Sequence, residues 1–264
     1  MIYINESAKA KIDSLNYEKV HILTDFDRTI TIGSSESSWS ILSKSKLVPK
    51  EYIEERQELY NYYRPIEIDE KLDFKEKNKL MIEWWNKHIR LFIKYKLPES
   101  VINNAANNLH VMSFREGASK FLEAMKENNV PVIIISAGIG NFIEQFLIKN
   151  KCNFSNIYIV SNFITFENGI ASGIKDNLIH SLNKNEVAIP EYIKSLIKHR
   201  ENIILLGDSV SDIKMAPTDT RANALKIGFL EEKEAENFQY FIENFDIVCT
   251  ENTSYHDLKD LIHF

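Results

Sequence analysis

The residues from Val20 to Thr31 read VHILTDFDRTIT, and they determine how the rest of the chain is interpreted. A short and mostly apolar run, VHIL, leads into Asp25 and Asp27, and Thr29 follows. Runs of this length bounded by polar residues are typical of a buried strand in a parallel sheet. Ligands of open α/β sheets bind outside the carboxyl ends of such strands. The stretch alone therefore indicates either a functional site or a solvated acidic turn, and other segments must decide between them.

Composition restricts the class of protein. The chain has 264 residues, 44% hydrophobic and 27% charged, which predicts one large domain or a domain with an insertion. A net charge of −6 argues against a broad nucleic-acid surface. Cys152 and Cys249, the only cysteines, are too few for a disulfide scaffold or a cysteine-based zinc site. With no apolar signal core and no run long enough to span a bilayer, we expect a cytoplasmic protein without membrane contacts or an obligate protein partner.

A change in sequence character begins after the first strand. The letters IGSSESS, residues 32–38, interrupt the strand pattern with glycine and serine. The following residues, up to 112, are rich in helix formers and show no strand alternation. One amphipathic stripe at spacings of three and four consists of Leu80, Trp84, His88, Leu91 and Tyr95. Pro49 and Pro98 indicate helix starts, and Pro65 predicts a break between helices. Residues 32–112 are interpreted as a helical insertion.

The rest of the chain alternates between strands and helices. Strands are predicted at Val20–Leu23, Val130–Ile135, Ile157–Val160, Ile203–Leu206 and Ile247–Cys249. Helices are predicted at 1–19, 114–129, from about 141, at 190–199 and at 231–241. Asn168-Gly169 predicts a hairpin turn. This pattern indicates an α/β fold with a Rossmann-like parallel sheet, formed by residues 1–31 and 113–264, and an all-helical cap inserted at 32–112.

Polar residues of matching chemistry follow three of these strands. Ser136 begins the segment SAGIG after the second strand, and Asp208 and Asp212 belong to GDSVSD after the fourth. Lys184 precedes that segment. Because parallel strands end at one edge of the sheet, we expect these groups to lie near Asp25.

Together these residue types can carry out phosphoryl transfer. Carboxylates such as Asp25 and Asp208 are hard oxygen ligands suited to Mg²⁺. Asp25 can attack phosphorus, and Asp27 can protonate the leaving oxygen and then activate water. Free backbone N–H groups after Ser136 can bind phosphate oxygens, and Lys184 supplies a fixed positive charge.

In this order, DFDRT, IISAG, a lysine and GDSVSD resemble the motifs of the haloacid dehalogenase superfamily. Longer segments resemble the cytosolic pyrimidine 5′-nucleotidase family, and the similarity extends over nearly all of residues 20–216. These segments are FREGASKFLEAMKENNVPVIIISAGIGNFIE, VSNFITFENGIASGIKDNLIHSLNKNE, NIILLGDSVSDIKMA, YYRPIEID and MIEWW. The resemblance implies a haloacid dehalogenase-like core and a Mg²⁺-dependent 5′-nucleotidase that acts through an aspartyl-phosphate, with phosphotransfer to nucleosides as a side activity.

The resemblance also implies roles for individual residues. Asp25 corresponds to the nucleophile and a metal ligand, Asp27 to the acid/base with its backbone carbonyl on the metal, and Asp208 to the other ligand. The phosphate-binding turn corresponds to Ser136 and Ala137, with Gly138 beside them. Lys184 corresponds to the motif lysine, with Lys175 as the competitor, and Asp212 would orient Lys184 or a metal-bound water.

For the base of the nucleotide, the resemblance points to the helical cap. Glu67 matches the position that reads the base, and a carboxylate there can accept from the amine of cytosine or from a ring N–H. Trp39, Trp84 and Trp85 are the stacking candidates, of which at least one of the adjacent pair is expected in the core. His88 departs from the family, where a small hydroxyl residue is usual.

Two other functions remain open from the sequence. One is a phosphatase of the same superfamily acting on another small phosphate ester. The other is a catalytically weak protein that binds a nucleotide or a protein partner, which the intact Asp25, Asp27, Lys184 and Asp208 argue against.

Overall fold

The computed structural model describes the chain except for residues 45, 46, 70, 108–111, 186–187, 232–236, 251–252 and 264. Its strands are β1 Ile2–Ile4, β2 Val20–Thr24, β3 Val132–Ile139, β4 Ile157–Asn162, β5 Ile164–Glu167, β6 Ile170–Ile174, β7 Asn202–Gly207, β8 Leu225–Phe229 and β9 Ile247–Cys249. Its helices are α1 Glu6–Asp13, α2 Ser40–Lys44, α3 Lys50–Ile68, α4 Phe74–Lys94, α5 Glu99–Ala106, α6 Ala118–Glu127, α7 Gly140–Lys149, α8 Glu191–Ile197, α9 Phe238–Asn244 and α10 Tyr255–Ile262.

A seven-stranded sheet, in the order β1-β9-β8-β7-β2-β3-β4, forms the centre of the described chain. All neighbouring pairs are parallel except β1 and β9. Every residue of β2 is buried, as is expected of a central strand covered by helices on both faces. The predicted α/β fold with a mostly parallel sheet is therefore confirmed, and the carboxyl end of β2 lies between those of β3 and β7.

Two strands of this sheet were not predicted. The sequence predicts a helix over residues 1–19, but Ile2–Ile4 pairs with β9 at the sheet edge and the helix begins only at Glu6. Leu225–Phe229 joins β7 to β9, although Lys226 and Gly228 interrupt its apolar pattern. Both strands are short, and their pairing partners rather than their own sequences stabilise them. Of the helix predicted at 231–241, residues 232–236 lie outside the described part of the chain.

The segment between β2 and α6 contains α2, α3, α4 and α5 and no described strand, which agrees with the predicted helical insertion. The predicted stripe lies on α4, and Pro49 and Pro98 immediately precede α3 and α5. Pro65 does not separate two helices, because α3 continues through it to Ile68. Proline lacks the N–H that would bond to the preceding turn, and α3 ends three residues beyond it. The exact boundary at residues 32 and 112 stays a prediction.

Backbone hydrogen bonds join the cap segment to the core. The predicted hairpin of β5 and β6 is confirmed, and Asn168 and Gly169 have the positive φ angles of 51° and 77° that its tight turn needs. The hairpin contacts the cap where Ala171 N–H donates to the Leu97 carbonyl at 3.0 Å. On the opposite side, Ile32 N–H donates to the Ser113 carbonyl at 3.1 Å. No described helix combines the length and apolar character needed to cross a bilayer.

Candidate active site

Asp25 and Lys184 form the floor of the site at the carboxyl end of β2. Asp25 N–H donates to the Leu206 carbonyl at 3.0 Å, which fixes its backbone between two strand ends. The Lys184 Nζ atom lies 2.8 Å from Asp25 Oδ2 and 3.2 Å from Asp212 Oδ1. Although burial opposes its charge, the carboxylates of Asp212 and Asp25 raise the pKa of Lys184, so the ammonium group is charged. Lys175, the alternative lysine, is exposed.

Asp212 positions this lysine. Ser209 N–H donates to Asp212 Oδ2 at 3.1 Å in a capping box at the start of a short 3₁₀ helix. The other carboxylate oxygen of Asp212 accepts from Lys184. Burial raises the pKa of Asp212 to about 6, while Lys184 opposes that increase. The structure thus places Asp212 beside Lys184, as the sequence analysis expected for an orienting group.

A cluster of carboxylates fits a divalent cation. One oxygen each of Asp25, Asp208 and Asp212 lie within 4.8 Å of one another. Asp25 Oδ1 is buried without a hydrogen-bond partner. Burial, followed by the charges of Asp212 and Asp25, raises the pKa of Asp208 well above its usual value. Buried carboxylates that repel one another destabilise the folded protein unless a cation binds between them. Such a group of hard oxygen donors is typical of a magnesium or calcium site. The Asp27 side chain is not in this cluster, whereas Asp212 is.

Asp27 is held by the first residues of the cap segment. The backbone N–H of Ser38 donates to Asp27 Oδ1 at 3.1 Å, and Ser38 Oγ donates to Oδ2 at 3.2 Å. Burial, and then the charge of Asp25, raise the pKa of Asp27 to about 7. A carboxyl group with a pKa near neutrality suits both proton donation and proton acceptance. Ser38 was missed in the sequence analysis, because a serine in a serine-rich loop carries no signal of its own.

The SAGIG segment, residues 136–140, is tightly packed; β3 does not end at Ile135 as the sequence predicts but continues through this segment to Ile139. Gly138 N–H donates to Ser136 Oγ at 3.1 Å, and Ile139 N–H donates to Ser38 Oγ at 3.2 Å. A Cβ atom at Gly138 would lie 2.2 Å from Ser38 Oγ, so only glycine fits there. Ser38 therefore connects Asp27 to the predicted phosphate-binding turn.

The carbonyl of Ala137 joins core and cap. It accepts from Trp39 Nε1 at 2.8 Å, Trp85 Nε1 at 2.9 Å and Asn162 Nδ2 at 3.0 Å. Trp39 and Trp85 belong to the cap segment, and Asn162 ends β4. Asn162 was not predicted, although a polar residue at a strand's carboxyl end was a usable signal. These bonds place both indole rings directly above the turn.

A cavity of about 230 Å³ lies between this floor and the cap. Asp25, Asp27, Ser136, Ala137, Gly138, Lys184 and Asp208 line it from the core. Arg56, Tyr60, Arg64, Glu67, Trp84, Trp85 and His88 line it from α3 and α4. Both members of the adjacent tryptophan pair thus reach the cavity, and Trp84 also stacks on Tyr63 at a centroid distance of 5.6 Å. The structure brings all of the predicted site residues except Asp212 to the cavity wall.

Glu67 lines the cavity in an ion pair. Its carboxylate contacts the guanidinium of Arg64 one turn earlier on α3, and its side chain is 13% exposed. His88 is neutral, because burial and then the charge of Arg56 lower its pKa to about 3. Its ring lies 5.1 Å from that of Trp39. The cap wall is therefore aromatic, with charged groups of both signs.

A family model described as pyrimidine 5′-nucleotidase (UMPH-1) matches residues 26–263. The chain belongs to this family. A pyrimidine 5′-nucleotidase family member is a phosphoric monoester hydrolase, and this chain is therefore a 5′-nucleotidase. The match covers the helical segment after β2 and the core that follows it, and it begins one residue after Asp25.

Individual sequence relatives and solved structures agree with this assignment. The chain is 37% identical over 240 residues to the human 7-methylguanosine phosphate-specific 5′-nucleotidase, covering 88% of this chain and 79% of that protein. It is 32% identical to the Drosophila melanogaster protein of the same name, covering 89% and 76%. The crystal structure of cytosolic 5′-nucleotidase IIIB bound to cytidine superimposes with a TM-score of 0.87 at 30% identity, over 99% of this chain and 92% of that one. A phosphoserine phosphatase, TM-score 0.58 and 20% identity over 92% of this chain and 98% of that one, shares the haloacid dehalogenase-like fold.

Proposed function

We propose that this chain hydrolyses pyrimidine nucleoside 5′-monophosphates to nucleoside and phosphate through an aspartyl-phosphate on Asp25. The observation that carries the proposal is the pairing of Asp25 with Lys184 beneath an aromatic cavity large enough for a small ligand. Names of relatives support two substrates, since one solved relative binds cytidine and others are specific for 7-methylguanosine phosphate.

The first half of the reaction uses Asp25 and Asp27. The carboxylate of Asp25 attacks phosphorus, the bond from phosphorus to the 5′ oxygen breaks, and the leaving oxygen takes the proton of Asp27. Lys184 holds the attacking carboxylate and offsets the phosphate charge. Ser136 and the backbone N–H of Ala137 support the phosphate oxygens. The next two N–H groups of that segment already donate to serine Oγ atoms.

The second half regenerates the enzyme. Asp27, now ionised, takes a proton from a water molecule that attacks phosphorus, and the acyl-phosphate bond to Asp25 breaks. Inorganic phosphate leaves, and both carboxyl groups return to their starting states. Ser38 keeps Asp27 directed at the reacting oxygen throughout, because it donates to both carboxylate oxygens.

The cluster of Asp25, Asp208 and Asp212 fits a resident Mg²⁺, with Asp25 and Asp208 as the proposed side-chain ligands. The backbone carbonyl of Asp27 is proposed as a further ligand. Bound there, Mg²⁺ would neutralise phosphate charge during transfer.

The cap selects the substrate in this proposal. Glu67 accepts from an amine or ring N–H of the base, and Trp85 offers an aromatic face. A sugar phosphate or phosphoserine has no base to occupy this wall, which argues against another small phosphate ester as substrate. A cytoplasmic location is proposed as well, in keeping with the relative named cytosolic 5′-nucleotidase IIIB.

A phosphate-release screen tests the proposal. The substrates are UMP, CMP, 7-methyl-GMP, phosphoserine, glucose 6-phosphate and p-nitrophenyl phosphate, each with Mg²⁺ or with EDTA. Turnover of UMP and CMP above phosphoserine and glucose 6-phosphate, with loss in EDTA, is expected. Equal turnover of all esters would contradict base selection, and an absence of turnover would favour a nucleotide-binding protein.

The metal assignment has an independent measurement. Mg²⁺ is expected to raise the thermal unfolding midpoint of the wild type, because a ligand of the native state stabilises it. Asp208→Asn should lose most of that increase, whereas the exposed Asp260→Asn should keep it. An equal increase in both variants would contradict a cation at this cluster.

A further inference from the structure

Arg56 places a buried positive charge on the cap wall of the cavity. Its side chain lines the cavity although the residue is only 8% exposed. Its Nε atom is buried without a hydrogen-bond partner. Burial lowers the pKa of the guanidinium, so its desolvation is not fully offset within the protein. A buried arginine with an unused N–H group can donate a hydrogen bond to a bound ligand.

No carboxylate is ion-paired with Arg56 in the described part of the chain. Glu36 acts on it electrostatically, but the carboxylate of Glu36 contacts Lys44. The remaining charged pair on this wall is formed by Arg64 and Glu67. Among the described α3 residues that line the cavity, two are arginines and one is a glutamate, so positive charge is in excess there.

Two other residues of the cavity wall also have unused polar atoms. Trp84 Nε1 and His88 Nδ1 are buried without partners, and both residues line the cavity. The His88 and Trp84 ring centroids are 5.8 Å apart, and Arg56 is close enough to His88 to lower its pKa. The indole N–H can only donate. This end of the cavity therefore calls for a ligand group that accepts hydrogen bonds.

At the other end of the same wall, the group that faces the cavity accepts hydrogen bonds instead of donating them. Arg56 and Glu67 are 11 residues apart on α3 and share one face, which corresponds to about 16 Å along the helix axis. The carboxylate of Glu67 can accept a hydrogen bond from a ligand, and the guanidinium of Arg56 can donate one. A base that carries both an amine and a carbonyl oxygen, such as cytosine, offers a donor for Glu67 and an acceptor for Arg56.

We infer that Arg56 is a specificity-determining residue that donates to a carbonyl oxygen of an uncharged base and disfavours the cationic base of 7-methylguanosine phosphate. The inference rests on the proposed function and names the substrate class of the same site. A cationic ring close to the guanidinium of Arg56 meets unfavourable Coulomb energy, and the burial of Arg56 strengthens that repulsion. Methylation of N7 also removes an acceptor that arginine commonly binds in guanine. The chain is therefore expected to differ in specificity from its relatives named for 7-methylguanosine phosphate.

The test compares kcat/KM for CMP, 7-methyl-GMP and p-nitrophenyl phosphate in the wild type, Arg56→Leu and Arg56→Gln. The wild type is expected to favour CMP over 7-methyl-GMP by at least about tenfold. Arg56→Leu should lower the value for CMP by about 10- to 100-fold, the usual effect of losing one buried hydrogen bond to a charged group. The value for 7-methyl-GMP should stay constant or rise, and that for p-nitrophenyl phosphate should stay within about twofold.

Arg56→Gln keeps a donor without the charge, so it should recover part of the CMP activity while still relaxing discrimination against 7-methyl-GMP. Arg90→Leu, which removes an exposed arginine of α4, is the matched control and should resemble the wild type. Equal losses on all three substrates in both Arg56 variants would assign Arg56 a purely structural role and overturn the inference.

A wild type that prefers 7-methyl-GMP would overturn the inference and leave the nucleotidase function standing. A wild type that hydrolyses p-nitrophenyl phosphate but neither nucleotide would contradict the proposed function and the inference with it.

Discussion

The floor and the cap wall of the cavity are built in different ways. The floor is assembled from the ends of adjacent parallel strands, and its groups are close together, with Lys184 within 3.2 Å of two carboxylates. The wall is assembled from side chains at helical spacing on α3 and α4, and its charged groups extend along about 16 Å of helix. The floor fits a compact tetrahedral phosphate, whereas the wall fits an extended, flat group.

This difference separates chemistry from selection. A change on the floor should affect every phosphate ester equally, because all share the reacting group. A change on the wall should affect only substrates that carry a base. Measuring each variant with CMP and with p-nitrophenyl phosphate therefore shows on which side of the cavity a residue acts.

Asp25→Asn is expected to have the largest effect. Removal of the nucleophilic oxygen should lower kcat by at least about 1,000-fold on both CMP and p-nitrophenyl phosphate, the order seen when a nucleophile is lost. Phosphate release measures this, with the exposed Asp260→Asn as the control. Retention of full activity on either ester would overturn the assigned mechanism.

Gly138→Ala tests the contact between the turn and Asp27. The added methyl group would lie 2.2 Å from Ser38 Oγ, so Ser38 must move and release Asp27. A loss of kcat by about 10- to 100-fold on both esters is expected, since small misplacements of catalytic groups have effects of that order. Gly173→Ala, whose Cβ atom would lie 3.3 Å from Thr165 Oγ1, is the control. A loss confined to CMP would place Gly138 with the selecting wall instead.

Glu67→Ala tests the wall. It should lower kcat/KM for CMP by about tenfold or more and that for p-nitrophenyl phosphate by less than about twofold, because only CMP offers an amine to the carboxylate. Glu58→Ala, at an exposed position of the same helix, serves as the matched variant. Losses of equal size on the two esters would refute a base-reading role for Glu67.

The smallest expected effect is a loss of folding stability as the pH falls. Burial lowers the pKa of His21 to about 4 and that of His180 to about 4, below the 6.5 of an exposed histidine. The unfolded chain therefore binds more protons between pH 6.5 and 4, and stability present above pH 6.5 is lost as the pH falls through that window. Each histidine should contribute a slope of up to about 1.4 kcal/mol per pH unit.

Urea titrations between pH 7.5 and 4.5 measure this dependence. His21→Asn should reduce the slope of the free energy of unfolding against pH, whatever the substitution does to the free energy of unfolding at pH 7.5. A slope equal to that of the wild type would contradict a neutral, buried His21.

Local patterns were sufficient to predict the acids of the floor. The strand ending before Asp25 and the strand ending before Asp208 are apolar runs followed by acids, and such runs form buried strands wherever they pair. Lys184 depended on resemblance rather than pattern, because nothing in LNKNE distinguishes it from an exposed lysine. Ser38 and Asn162 were missed, since their roles consist of bonds to residues 11 or more positions away.

The sequence by itself determined five strands of the central sheet, the helical character of the segment after β2 and the acids at the strand ends, because side-chain periodicity and turn residues act over a few neighbouring positions. Only the tertiary structure decided that Ile2–Ile4 pairs with β9, that Ser38 holds Asp27 against Gly138, and that Arg56 is buried in the cavity without a carboxylate partner. These features depend on contacts between segments far apart in the chain, and their energies come from burial and charge in the folded protein rather than from local propensity.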